Sequence, residues 1–329
     1  MATTVSTGSS NFDQMLVALV DKRLEELLRA PLPWLLPGNF RPAKFVKGTN
    51  NTMRFLNIPD LPVVTGTPTP GIAPWLTEGV APTTQDFEFG YEEFSANQAG
   101  IVVRLTDKAL LESPIDLIAE GADRVAYNAI RTADQRMGDI CLAGTNVLYA
   151  GVGNTATDDI QPGDVVTGAI YKRAAALLKG TKVPQFGEGG YRAIQHPFVS
   201  LDLESDPDAG GWIDANRYVT PDKMLNGELG KYAGIRFIET ANAGVKATRG
   251  ASSEDVYATF IFGPEAYAFG DWGTIESHIT PPGGGSDPLF QRALVGWKGF
   301  FGGVLIGEGA NATNVSPPRY IIVESAASI

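Results

Sequence analysis

The stretch from Ser113 to Gly144, SPIDLIAEGADRVAYNAIRTADQRMGDICLAG, limits the fold more than any other part of the chain. Ser113 can cap a helix, Pro114 suits the first helical position, and Asp116 completes a capping-box-like spacing. Ile118, Ala122, Val125, Ala129, Ala133, Met137 and Ile140 then recur every three or four residues, which is helical periodicity. Gly144 can close the helix in the left-handed conformation. A helix of this length runs about 40 Å at 1.5 Å per residue. Its stripe is rich in alanine, so a sheet can approach its backbone closely. Asp123, Arg124, Arg131, Asp134, Gln135 and Arg136 are assigned to the opposite, polar face. The segment therefore reads as a spine across which other elements lie.

What precedes the spine is less regular. Residues 1–10 are small and polar and are expected to be disordered in the free chain. From Ser10 to about Arg29 the spacing predicts an amphipathic helix with Phe12, Leu16, Leu19, Val20, Leu24, Leu27 and Leu28 on its apolar stripe. Such a helix needs a surface to lie on, either its own core or a neighbouring subunit. Residues 35–83 then carry Pro37, Pro42, Pro59, Pro62, Pro68, Pro70, Pro74 and Pro82. Strand-like runs appear only at Thr52–Ile58 and Val63–Val64. A stretch this long with so little regular structure reads as a projecting excursion that something else supports. Phe87, Phe89 and Tyr91 alternate with Glu88 and Glu92, and Ile101–Leu105 reads as a buried strand. Together they predict a return strand pair leading straight into the spine.

After the spine the pattern is mixed. Strands are expected at Asn146–Ala150, Arg192–Gln195, Ile235–Thr240, Val256–Phe262, Leu294–Trp297, Val304–Ile306 and Tyr320–Glu324. Helices are expected from Asp164 or Thr167 to Leu178, over Pro197–Leu203, and near Pro264–Phe269. Residues 205–223 and Gly283–Gly285 read as loops. No internal repeat is visible.

The composition excludes several classes. The formal net charge is −11 and the pI about 4.7, which argues against a general nucleic-acid-binding surface. One cysteine, Cys141, rules out a disulfide framework within the chain. The opening MATTVSTGSS has neither the basic nor the apolar part of a signal peptide, and no apolar run is long enough to span a membrane. The chain thus reads as intracellular where it is made. Its 38 glycines and 22 prolines, with charged residues at only 19%, fit a protein that buries much surface against partners.

Candidate chemistry is sparse. Gly151-Val-Gly153-Asn-Thr-Ala156 matches a dinucleotide-binding pattern, but no helix is expected to start there, so a plain loop is favoured. Gly227–Lys231 resembles a short phosphate loop, yet Tyr232 stands where Ser or Thr must reach magnesium, and a turn is the preferred reading. Asp202, Glu204, Asp206 and Asp208 have calcium-loop-like spacing without the required glycine or closing acid, and read as a solvated acidic loop. His196 and His278 lack metal-ligand neighbours. Cys141 reads as a small core residue. Asn50, Asn311 and Asn314 begin glycosylation triplets that are chance matches without secretion. No catalytic, cofactor-binding or metal residues are assigned.

Trp75-Leu-Thr-Glu78-Gly79-Val-Ala-Pro82, the junction Leu105–Ser113, and the segments Met224–Thr240 and Asp287–Lys298 occur in a distinctive order. With the N-terminal helix, the projecting excursion, the spine and the mixed region after it, that order resembles the major capsid proteins of tailed bacteriophages. These have the Hong Kong 97-type α+β fold, and the likeness is to the branch typified by podophage N-four.

The resemblance implies an N-terminal arm over 1–45, an extended E-loop over 46–95, and a P-domain strand with the spine helix over 96–145. It further implies a region that is mainly A-domain over 146–260, P-domain strands and loops over 261–316, and a C-terminal strand over 317–329. It implies no enzyme activity and no cofactor. The expected partner is the chain itself, in hexamers and pentamers of an icosahedral head that encloses double-stranded DNA without sequence-specific binding and without a membrane. Only a short arm precedes the E-loop, so a separate scaffolding protein is implied, with a portal and, as an optional addition, a decoration protein. The expected location is the virion, and the bacterial cytoplasm during assembly. Inter-subunit contacts are expected at Phe12, Leu16, Leu19, Leu24, Leu27, Trp75, Leu76 and Glu78, and spine packing at Ile118, Ala122, Val125, Ala129, Met137 and Ile140. An encapsulin-like shell and a nucleotide-dependent enzyme are the alternatives.

Overall fold

The computed structural model describes residues 33–36, 38–44, 52–57, 78–79, 90–114, 116–187, 189–206, 228–271, 275–280, 289, 291–308 and 317–328. The expected N-terminal helix, Val63–Val64, Trp75–Leu76, Phe87–Phe89, the loop at Gly283–Gly285 and most of 205–223 lie outside the described residues.

The spine exists but starts later than its sequence suggests. Helix α1 covers Asp107–Glu112 and helix α2, the spine, covers Leu117–Leu142. Ser113 ends α1 in an extended conformation (φ −76°, ψ 134°) instead of capping α2. Pro114 explains this, because its ring pushes the preceding residue out of the helical region. Asp116 is the cap, its Oδ1 accepting the N–H groups of Ile118 and Ala119 at 3.0 and 3.2 Å. At the other end Ala143 is right-handed, and Gly144 is not among the positive-φ residues. Gly144 is needed for space, since a Cβ there would overlap the Tyr320 ring.

One sheet lies across the first half of the spine. It contains β1 (Arg41–Lys44), β4 (Asn97–Thr106), β11 (Tyr267–Asp271), β12 (Glu276–Thr280) and β13 (Arg292–Leu305). β13 is its axis, pairing antiparallel with β4, β11 and β12, while β1 adds to β11 in parallel. Val295, Trp297 and Phe301 of β13, with Val103 and Leu105 of β4, pack on Ala122, Val125, Ala126, Ala129, Ile130 and Ala133.

The second sheet takes the spine's far end. It comprises β5 (Val147–Tyr149), β6 (Tyr191–Gln195), β7 (Glu228–Tyr232), β8 (Ile235–Glu239), β9 (Gly244–Lys246), β10 (Val256–Phe262) and β14 (Tyr320–Ser325). Its order is β5-β14-β10-β6-β8-β7, with β9 added to β10. Every residue of β10 is buried, as expected for a central strand read as one apolar run. On one face lie helices α3 (Gly168–Gly180) and α4 (Pro197–Ser205), which bury Tyr171, Ala174, Leu178, Val199 and Leu203 against Phe237, Ile261 and Val323. On the other, Met137 and Cys141 of the spine join Phe260, Phe262, Tyr267 and Tyr320. The spine thus carries one core on its first half and another on its last turns. A two-stranded ribbon, β2 (Thr52–Asn57) with β3 (Gly90–Ser95), completes the described strands.

Several expectations are corrected. Ile101–Leu105 belongs to a strand that pairs only with β13 among the described residues, leaving Ile101 44% and Val102 64% exposed. Leu294–Trp297 and Val304–Ile306 are one strand; the intervening glycines interrupt the apolar pattern without breaking the pairing. Pro264–Phe269 is a turn followed by β11, not a helix. The Gly227–Lys231 segment is strand from Glu228 onward, not a turn. In the ribbon Glu92 and Phe94 are buried, whereas Tyr91 is half-buried under the Arg54 guanidinium.

Candidate functional site

The candidate site is taken at two described places that border the expected arm and the expected excursion. The first is the connector at residues 33–36. Trp34 is fully buried, and both of its backbone groups are held. Its N–H donates to Asp134 Oδ1 at 3.0 Å, and its carbonyl accepts from the Tyr267 hydroxyl at 2.6 Å. The indole lies 5.6 Å from the Phe260 ring. One turn along the spine from Asp134, Gly138 leaves the room the indole needs, because a Cβ there would sit 2.9 Å from Trp34 Nε1. Beyond the connector, buried Asn39 accepts from Arg192, and β1 joins the sheet. Within the expected arm, Trp34, Asn39 and Ala43 are thus buried in the subunit's own core.

Asp134 corrects its assignment to the polar face, being buried instead. Burial pushes its carboxyl up to about 6, against the lowering effect of the Trp34 and Leu35 N–H groups. Sequence periodicity could not reveal this, because a lone Asp beside Arg131 and Arg136 reads as surface. Only the connector's free N–H groups give it a reason to be inside.

The second place is the root of the ribbon. Phe55 and Phe94 stack at 5.8 Å, and Arg41 lies 4.8 Å over Phe55. Ala43, Phe94 and Ala96 pack with Met53 and Val304, fixing the ribbon to the five-stranded sheet. Glu92 Oε1 accepts the Gly307 N–H at 2.6 Å. Arg54 and Glu93 pair at 2.9 Å across the exposed face, a contact of small energetic weight. Glu78 is exposed. Phe12, Leu16, Leu19, Leu24, Leu27, Trp75 and Leu76 lie outside the described residues. Ala122, Val125, Ala129 and Met137 are buried, and Ile118 and Ile140 are half-buried.

The chemistry-like motifs are structural where described. Gly151–Ala156 is a loop: Asn154 donates to the Ala150 carbonyl and to Asp164, and Asp159 accepts the Thr155 and Ala156 N–H groups at 3.0 Å each. A single 3₁₀ turn, Thr157–Asp159, follows the loop and the next α-helix begins only at Gly168, so the loop does not lead directly into an α-helix as a dinucleotide site requires. Asp202 and Asp206 are not a solvated loop. Asp202 is buried and accepts from Ser328, and Asp206 accepts the Gly168 N–H at 2.7 Å. Among the described residues no cluster of potential metal ligands occurs, and no helix is long and apolar enough to cross a membrane. Burial holds the Cys141 thiol well above its ordinary range, suiting a core residue.

Comparison with known proteins places this architecture. The model of a family described as phage capsid protein matches residues 90–309, about two-thirds of the chain. No curated protein matches it significantly. Among solved structures, the capsid of Ralstonia phage GP4 is similar at a TM-score of 0.67 and 16% identity, over 88% of this chain and 87% of that one. The cyanophage Pam1 capsid follows at 0.63 and 13% identity, over 88% of each chain. The head of Helicobacter pylori bacteriophage KHP40 superposes at 0.60 and 12% identity, over 100% of this chain and 94% of that one. Neither the encapsulin-like nor the enzyme alternative is favoured by these matches. The spine with its two sheets is the mixed helix-and-sheet fold of those capsids, and the chain belongs to the phage capsid protein family as a structural protein of the virion shell.

Proposed function

We propose that this chain is the repeating subunit of an icosahedral phage head, arranged in hexamers and pentamers around double-stranded DNA. The observation that carries the proposal is the family match over residues 90–309, joined to a fold that anchors the connector at 33–36 and the β2–β3 ribbon. In this reading the five-stranded sheet and the spine form the P-domain, and the seven-stranded sheet forms the A-domain. Residues 46–95, which include the β2–β3 ribbon, form the E-loop, whose part beyond the ribbon lies on a neighbouring copy. Residues 1–32 reach a neighbour as an arm. Head-to-tail contacts of this kind close into rings when the rotation closes.

The finer placement in the branch typified by podophage N-four rests on Met224–Thr240 and Asp287–Lys298. A separate scaffolding protein, a portal and a decoration protein as an optional addition are its partners, and assembly takes place in the bacterial cytoplasm. The net charge of −11 suits an inner surface that encloses DNA without gripping it. Deleting residues 1–29 tests the arm. The described core should stay folded while shells fail to form, and normal shells from that deletion would refute the arm's role.

A further inference from the structure

Two buried carboxylates stand at the connector and on the β2–β3 ribbon, and each has one buried oxygen without a hydrogen-bond partner. Asp134 Oδ1 accepts the Trp34 N–H at 3.0 Å, whereas its Oδ2 is buried without a hydrogen-bond partner. Glu92 Oε1 accepts the Gly307 N–H at 2.6 Å, whereas its Oε2 is likewise buried and unpartnered. The two residues are each 1% exposed. An ionised carboxylate offers about four acceptor sites and no donor, so burying it this way is costly. A protonated carboxyl keeps one acceptor for the N–H and removes the charge from the interior.

We propose that Asp134 and Glu92 are proton-loaded latches, which position the exit of the N-terminal segment and the root of the projecting ribbon and hold them more firmly when protonated.

The surroundings support the direction. Asp134 is faced by Cys141 from its own helix and by Tyr267 from β11, with Arg192 of β6 acting on Tyr267 from beyond. Burial raises both the Cys141 thiol and the Tyr267 phenol well above their ordinary values, so both stay neutral and neither offsets the charge of an ionised Asp134. Burial pushes Asp134 itself to about 6, even though the Trp34 and Leu35 N–H groups pull it down. For Glu92, burial likewise outweighs the Gly307 N–H and the cations Arg319 and Arg41. A carboxyl whose value is raised by folding contributes its full stability below its unfolded value and loses it as pH rises through the folded one. For Asp134 that loss spans the window from its ordinary value of 3.8 up to about 6. Acidification from neutrality therefore tightens the latch. This inference does not require the shell reading, and it is measured on the full chain without assembly.

The experiment is thermal melting of the purified full-length chain, with Asp134→Asn and Glu92→Gln, at neutral pH and near pH 5. Hydrogen exchange of a peptide covering residues 33–36 is followed in parallel. The amide variants imitate the protonated carboxyl. Each should melt at least about 2 °C above the parent at neutral pH, with the gap closing on acidification. Exchange protection at 33–36 in Asp134→Asn should match that of the acidified parent. A gap of the same size at both pH values, or a loss of stability at both, would overturn the proposal and leave plain structural carboxylates. If the variants fail to fold, carbon NMR titration of the parent carboxyls decides. An Asp134 midpoint above about 5 supports the latch, and one near the ordinary 3.9 overturns it.

Discussion

The indole N–H of Trp297 on β13 donates to Asn128 Oδ1 on the spine at 3.0 Å, pinning the five-stranded sheet to the helix by a side-chain bond amid otherwise apolar packing. Trp297 is nearly buried beside Val295 and Phe301. Replacing Asn128 with Ala should cost about 1–2 kcal/mol, because the buried indole N–H loses its acceptor. Trp297→Ala should cost about 3–5 kcal/mol through the cavity it leaves. Chemical denaturation of the two single variants and the double variant checks this. The double should cost less than the sum, since the pair shares one bond.

Gly138 is predicted to be intolerant of any side chain. In an exposed helix Gly→Ala would gain roughly 1 kcal/mol. Here the added Cβ meets Trp34 Nε1 at 2.9 Å and a second indole atom at 3.0 Å. Overpacking of this kind costs about 1–3 kcal/mol, so the net change should be destabilising. A melting curve of Gly138→Ala, read against Gly121→Ala on the same helix, where the added Cβ meets only Leu105 at an ordinary 3.6 Å, isolates the clash from the propensity gain.

Glu324 is fully buried on β14, where its carboxylate accepts from Lys246 and, at 2.7 Å, from Thr157 Oγ1. Lys246→Met should therefore cost about 3–5 kcal/mol, because it leaves a buried charge uncompensated. Lys246→Met combined with Glu324→Gln should recover a large part of that loss. Equilibrium unfolding of the three variants is the measurement. Equal losses in the single and double variants would show that the Lys246 stem, not its charge, matters.

His196 caps α4 by accepting the Phe198 N–H at its Nδ1, 3.3 Å away, and its ring forms a three-ring cluster with Phe198 and Tyr257. Burial lowers its pKa, partly offset by Glu239. A lowered value means that folding favours the neutral ring. The contribution is present above the ordinary histidine value and is lost as pH falls through the folded one. His196→Asn supplies a cap without a titrating group. Stability compared between about pH 7 and pH 5 should fall less in the variant than in the parent.

The fold's long-range order was more legible than its local details. Alanine spacing from Ala122 to Ala133 announced a rod under a sheet, and Val256–Phe262 read as a strand, though not as the central one it is. Pro114 moved the helix start because a steric effect on the preceding residue outweighed a good capping sequence. Asp134 was assigned to the polar face and the burial of Glu92 was not foreseen, because periodicity gives no partner for a charged residue. Those partners, Trp34 and Gly307, are 100 and 215 residues away in sequence. β13 was split because Gly299, Gly302 and Gly303 look like turns. In the structure Gly303 lets the strand approach Met137 of the spine, where a Cβ would lie 2.7 Å from its sulfur.

The central claim, that this chain is the repeating unit of a phage head, is tested most directly by electron microscopy of the expressed full-length protein, alone and with the scaffolding protein of the same phage. Closed shells built from rings of six and five copies are the expected result. Discrete small oligomers in both preparations, with no shells, would contradict it.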